Sequence, residues 1–164
     1  MSERDVISIV LLNLLVACAS QKPKGDEAAQ GATESESASA SASEVDVDEL
    51  DDPNSILAKR SVYYPFDVSA VQDEDKPVVQ AHAKYLGQHS DRSVRVEGNA
   101  DERGSNEYNL ALGQRRADGV KKMLVVGGAN SSQIEASSYG EEKPVASGHD
   151  EASWSQNRRA DIEY

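Results

Sequence analysis

Cysteine is all but absent from this 164-residue chain: Cys18 stands alone, so no disulfide can form within it. Histidine is nearly as scarce, and His82, His89 and His149 form no i, i+4 pair. With no second cysteine to add, neither a zinc site nor any other metal or cofactor is expected. Aromatic residues make up only 5%, with a single Phe66 and a single Trp154. Bases are outnumbered, 17 Lys and Arg against 29 Asp and Glu, for a formal net charge of −12. That balance argues against a nucleic-acid partner, which wants a basic face. No apolar run approaches the roughly 20 residues that a membrane-spanning helix needs. Acids are abundant, but none forms a recognisable acid/base pair, and there is no Ser or Cys nucleophile motif, so no catalytic residue is expected.

What is present is unevenly placed. The hydrophobic share is 38%, low for a chain that is globular throughout, but the deficit is local. Residues 19–55 hold almost no large apolar side chains and carry ten acids against two lysines, a net of −8. Residues 56–164 carry seventeen acids and fourteen bases, a net of −3, with a normal apolar supply. One domain of modest size behind an acidic spacer is the organisation this predicts.

Ahead of the spacer, Val6 to Ala17 form an apolar run of twelve with one Asn, the length of a signal-peptide core. It ends Leu15-Val16-Ala17-Cys18, which resembles the lipobox of bacterial lipoproteins. That resemblance implies a leader over 1–17 and a lipid on Cys18, whose several acyl chains would anchor the chain stably. Ala19 stands where an Asp would favour retention at the inner membrane, so the outer membrane is the expected destination. The leader departs from the pattern in one respect: Arg4 is flanked by Glu3 and Asp5, so its start is not clearly basic. The stretch 18–55 then reads as a disordered tether, since Ala, Ser, Glu and Asp cannot bury enough apolar surface to offset ordering entropy. A coil of that length reaches roughly 30–35 Å, more under self-repulsion.

From Ile56 onward the pattern is that of an α/β sandwich in the order β-α-β-α-β-β, two main helices on one face of a small mixed sheet. Ser61 to Phe66 reads as a strand perturbed by Pro65, and Asp73 to Gln88 as a helix with three acids in its first turn. Ser93 to Gly98 alternates, with Val94 and Val96 on one side and Arg95 and Glu97 on the other. Ser105 is placed to cap a long helix ending near Val126, with Gly127-Gly128 as its stop and Leu110, Ala117, Val120 and Leu124 on the buried face. Ser131 to Gln133 form a turn, Ile134 to Tyr139 a third strand and Arg158 to Tyr164 a last one, with Ala160 and Ile162 on one side. Between them a polar loop runs past Gly148, and Trp154 is expected over an edge of the core.

The loop Asn99-Ala100-Asp101-Glu102-Arg103-Gly104 holds opposite charges that a core could not bury unpaired, and it feeds a helix carrying Asn109, Arg115 and Arg116. This is the stretch expected to touch a ligand. Taken on spacing alone, Asp101 is equally a partner for Arg103 or a cap for the helix, and Arg116 equally a surface arginine in a weak ion pair. Arg115 reads as surface, Asn109 as a possible helix-face polar residue, and Arg158 and Arg159 as structural, exposed or part of an interface.

Three motifs, VEGNADERGSNEYNLALGQRRADGVK from Val96, SYGEEKP from Ser138 and GHDEASWSQNRRADIEY from Gly148, carry a resemblance. Residues 56–164 resemble the OmpA-like C-terminal domain family and, within it, the peptidoglycan-associated lipoproteins. Asn99 stands where many members have His, and Gly113 where the broader family often has Ser. The resemblance implies non-covalent binding of the peptidoglycan stem peptide through its diaminopimelate, with Asp101 accepting from the ammonium and Arg116 binding a carboxylate. It adds Phe66, Asp67, Gly104 and Ser105 as backbone contacts and Asn109 as a loop-fixing or ligand residue. It further implies an outer-membrane lipoprotein of the Tol-Pal system, facing the periplasm and supporting envelope integrity and cell division. A periplasmic TolB-like protein would be the second partner, competing with the wall. Two other expectations stay open: a wall-modifying enzyme that uses the fold for targeting, and a structural lipoprotein acting mainly through protein partners.

Overall fold

The structure, a computed structural model, describes residues 48–164. The expected leader, Cys18 and most of the expected tether lie outside the described residues. Four strands make one mixed sheet: β1 (Ser61–Tyr63), β2 (Val94–Asn99), β3 (Ile134–Gly140) and β4 (Arg159–Glu163), in the spatial order β1-β4-β2-β3. β4 runs antiparallel to both its neighbours, and β2 and β3 are parallel. Helices α1 (Lys76–Gln88) and α2 (Asn106–Val126) cover one face, as the α/β sandwich predicts, and a short α3 (Glu151–Asn157) is added before β4.

The core forms where apolar faces of three elements meet. Val94 and Val96 of β2 and Ala160 and Ile162 of β4 point inward against Val79, Ala83 and Leu86 of α1 and Ala117, Val120 and Leu124 of α2. The helix faces follow the i, i+3, i+4 period. Leu110, expected on the buried face of α2, is instead 47% exposed. Leu112, about 200° further round the helix, takes the inward position. Ser105 caps α2 as expected, accepting from the Tyr108 N–H at 3.2 Å, and the Gly127 N–H closes its end on Met123 O at 2.9 Å.

Several boundaries differ from the sequence reading, each for a local reason. β1 stops at Tyr63, because Pro65 has no N–H to continue the ladder; one further bond, Tyr64 N–H to Arg158 O at 2.9 Å, precedes it. α1 starts at Lys76, not Asp73, so its first turn holds no acid. Asp75 turns its carboxylate to the Tyr63 N–H at 2.9 Å and serves the edge of β1 instead. Ser131–Gln133 do form a single helical turn, capped by Asn130. On the far face of β4, Arg159 and Asp161 are buried, because the chain at Lys143 lies over them and its carbonyl accepts from Arg159 at 3.3 Å.

The last residues of the expected tether lie against the domain. Leu50 is buried beside Tyr85 and the domain's own Leu57. Asp48 accepts from Tyr85 Oη at 2.9 Å and pairs with Arg92 at 2.7 Å. The Leu50 N–H and the Tyr85 hydroxyl hold its carboxyl below the usual carboxylate range. No described helix is long and apolar enough to cross a membrane.

Candidate functional site

The loop between β2 and α2 leaves the carboxyl end of a central strand and turns back at Gly104, whose φ of +116° suits glycine. The chain after β1 turns beside it at Asp67, which sits at φ +57°. The start of α2 and Arg158, at the end of α3, close the remaining sides. Together they enclose a small pocket of about 10 Å³ lined by Phe66, Asp67, Ala100, Asp101, Arg103, Tyr108, Asn109, Leu112, Arg116 and Arg158. Five of the expected residues meet there: Phe66, Asp67, Asp101, Asn109 and Arg116. Gly104 and Ser105 do not line it; one turns the loop and the other caps the helix.

Asp101 is 4% exposed and faces four donors. Arg103 reaches it through its backbone N–H at 3.1 Å, Nε at 3.1 Å and Nη2 at 2.5 Å, and Arg158 Nη1 reaches it at 3.2 Å. Burial alone would raise the carboxyl, but these bonds and the neighbouring charge hold it below the ordinary Asp value. The carboxylate is therefore ionised, acceptor-only and already carrying two cations.

Arg116 has no exposed surface. It sits on the inward face of α2 and spends its donors on main-chain carbonyls: Nε on Val68 O at 2.9 Å, Nη1 on Asn99 O at 2.6 Å and Nη2 on Pro65 O at 3.4 Å. Its guanidinium lies 4.8 Å from the centre of the Tyr64 ring. Burial pulls its pKa down to about 10, so it keeps its charge at neutral pH. One residue thus ties the ends of β1 and β2 and the following loop to one helix, and a surface ion pair is excluded for it.

The rim is tied as well. Asn109 donates to Glu141, and the Tyr108 hydroxyl donates to Asp67, which raises the Tyr108 pKa. Glu102 faces away from the pocket, accepting from Trp154 Nε1 at 2.8 Å and His149 Nδ1 at 2.7 Å. Trp154 lies in α3, away from the core edge where it was expected, and its ring stacks on Arg103 at 4.1 Å. Phe66 stacks on Arg103 at 4.3 Å.

Arg103, Arg158, Tyr108 and Trp154 are therefore site residues that sequence reasoning did not name as such. For Arg103 the signal was its place two residues from Asp101; for Arg158 it was an arginine at the start of a strand, which burial obliges to find a carboxylate. A wider concavity of about 640 Å³ lies at the opposite ends of β2 and β3, lined in part by Arg95, Lys121, Glu135 and Glu163, and none of the expected residues borders it. Among the described residues no group of three or more His, Cys, Asp or Glu side chains is placed to hold a metal ion.

Comparison with known proteins gives three findings. The OmpA family matches residues 63–158. The peptidoglycan-associated lipoprotein of Pseudomonas putida is 41% identical over 92% of this chain and 91% of its own, and that of Pasteurella multocida 50% identical over 63% and 69%. The crystal structure of the peptidoglycan-associated lipoprotein from Burkholderia pseudomallei superposes with a TM-score of 0.70 at 58% identity, covering 71% of this chain and 99% of that one.

Proposed function

The chain belongs to the OmpA family, among its peptidoglycan-associated lipoproteins, and on that premise we propose that it binds peptidoglycan without covalent chemistry and links the outer membrane to the cell wall. The observation that carries this reading is the meeting of Phe66, Asp67, Asp101, Asn109 and Arg116, drawn from three separate stretches, at one pocket. The ligand is the diaminopimelate of the stem peptide, whose free end carries an ammonium and a carboxylate. Asp101 accepts from the ammonium. Arg116 takes the carboxylate with the N–H groups that its three carbonyls leave over, since a guanidinium has five. Asn109 and the exposed ring of Phe66 complete the contact surface.

The rest of the chain delivers this domain to its place. In this reading residues 1–17 are the leader, Cys18 carries the lipid and the acidic stretch up to the domain spans the gap to the wall. The match to the Pseudomonas putida relative extends over 152 residues, so it reaches well ahead of Asp48 and supports a shared anchor. The protein acts as a binder, not an enzyme, and belongs to the Tol-Pal system. A TolB-like periplasmic protein competes with the wall for the same end of the domain.

Co-sedimentation with purified sacculi tests the reading. Wild type should pellet, and Asp101→Ala, confirmed folded by its unfolding curve, should stay in solution. A wild type that stays in solution sinks the wall reading and moves the function to protein partners.

A further inference from the structure

The pocket proposed above is narrow, about 10 Å³, and one side chain covers its carboxylate. Arg103 holds Asp101 with two guanidinium nitrogens, Nε at 3.1 Å and Nη2 at 2.5 Å, while its guanidinium carbon lies over the rings of Phe66 and Trp154, 4.3 and 4.1 Å from their centres. Asp101 keeps only 4% of its side chain exposed, whereas Arg103 keeps 31%, so the arginine stands between the carboxylate and solvent. Arg158, the other cation on Asp101, is itself buried and also tied to Tyr64 O at 3.0 Å and to Glu151 at 2.5 Å. It is fixed scaffolding. Arg103 is the movable member.

A second carboxylate waits beside it. Glu151 Oε2 lies 3.5 Å from Arg103 Nη1, and the Glu151 side chain is 64% exposed. A guanidinium leaving Asp101 can stay over the two rings with its charge near Glu151, so release does not strand a cation.

We propose that Arg103 sets the specificity of the site as a built-in stand-in for the ligand's ammonium, which only a cationic ligand group can displace from Asp101. The inference rests on the wall-binding reading and adds to it a reason for selectivity. A ligand with carboxylates alone offers Asp101 no replacement for the guanidinium and is refused. A ligand with an ammonium makes the exchange nearly even, and the stacking of Arg103 on Phe66 and Trp154 sets how far from even.

The test is titration of the full chain with meso-diaminopimelate and with pimelate, which has the same carbon chain and carboxylates but no ammonium, at one ionic strength. Arg103→Ala should bind diaminopimelate roughly two- to fivefold more tightly than wild type, the range of one partly exposed ion pair, and should gain nothing toward pimelate. Arg103→Lys, which keeps the charge but loses the planar fork, should fall between. In the unsubstituted protein the Arg103 Nε–H resonance should shift when diaminopimelate is added and stay when pimelate is added. Equal or weaker diaminopimelate binding by Arg103→Ala, with wild-type binding intact, overturns the proposal and leaves the wall reading standing. An unmoved Arg103 resonance at saturating ligand overturns it in the same way. Failure of every form to bind diaminopimelate overturns both.

Discussion

Gly98→Ala should unfold or displace the site from a distance, and its size can be worked from contacts. Gly98 lies in β2, which is held on one side by β4 and on the other by β3, so the strand cannot slide away. A Cβ built there would stand 1.8 Å from the Gly113 carbonyl oxygen and 2.6 Å from its carbon. Both are main chain of α2, and ordinary contact begins near 3.4 Å, so the helix would have to withdraw by about 1.6 Å. That movement takes Arg116 Nη1, now 2.6 Å from Asn99 O, out of bonding reach. Overpacking at the upper end of its range together with one lost charge-assisted bond comes to about 4.5–6 kcal/mol. The matched control is Gly119→Ala on the same helix, where a Cβ meets only Ser69 O at 3.5 Å. There the helix-propensity gain is unopposed and should stabilise by about 0.5–1 kcal/mol. Urea unfolding of both variants measures the contrast. A Gly98→Ala protein within about 1 kcal/mol of wild type would refute the close-approach argument.

Three further outcomes follow from the same contacts. Arg116→Lys should lose about 2–4 kcal/mol in urea unfolding, because one ammonium cannot serve carbonyls on three segments, and its sacculus binding should fall with it. Ser105→Ala should cost about 1 kcal/mol through the lost cap on Tyr108 N–H, read from the same unfolding curves. His82 is buried, donating from Nε2 to Lys59 O at 2.9 Å and accepting at Nδ1 from Tyr164 Oη at 2.9 Å, and burial holds its pKa below the ordinary value. As pH falls through about 6.5 the unfolded chain takes up a proton that folded His82 refuses, so stability should decline toward the lowered folded pKa. A His82→Gln protein should lack that slope.

The parts of the fold that were legible were those with a strong period and a clear stop. β2 alternates, α2 is bracketed by Ser105 and Gly127-Gly128, and both appear where the pattern put them. α3 was not legible, because seven residues with no apolar period look like loop; only Asp150, which accepts from the Ser153 N–H at 2.8 Å, marked its start. β1 was overread because a β-rich composition continues through Pro65, which the ladder does not.

The site was legible in part for a related reason. Five of the seven residues implied by the family resemblance, Phe66, Asp67, Asp101, Asn109 and Arg116, line one pocket, but spacing does not say who pairs with whom. Spacing offers Asp101 a partner in Arg103 or a role as helix cap; Arg103 does hold it, and so does Arg158, which lies too far along the chain for spacing to pair with it. Arg116, the expected ligand contact, serves mainly as a strut, which no local pattern reveals because its acceptors are carbonyls of other segments. An Arg116 substitution alone therefore cannot separate lost binding from lost shape, whereas one at the partly exposed Arg103 can.

The central claim is that a zwitterion with an ammonium group occupies Asp101. The most direct measurement is release of the protein from sacculi by soluble meso-diaminopimelate, with pimelate as the control. Diaminopimelate should move the protein into the supernatant in proportion to its concentration, and pimelate should not. Protein that stays on the sacculi at saturating diaminopimelate would contradict the account, since the wall contact would then lie outside this pocket.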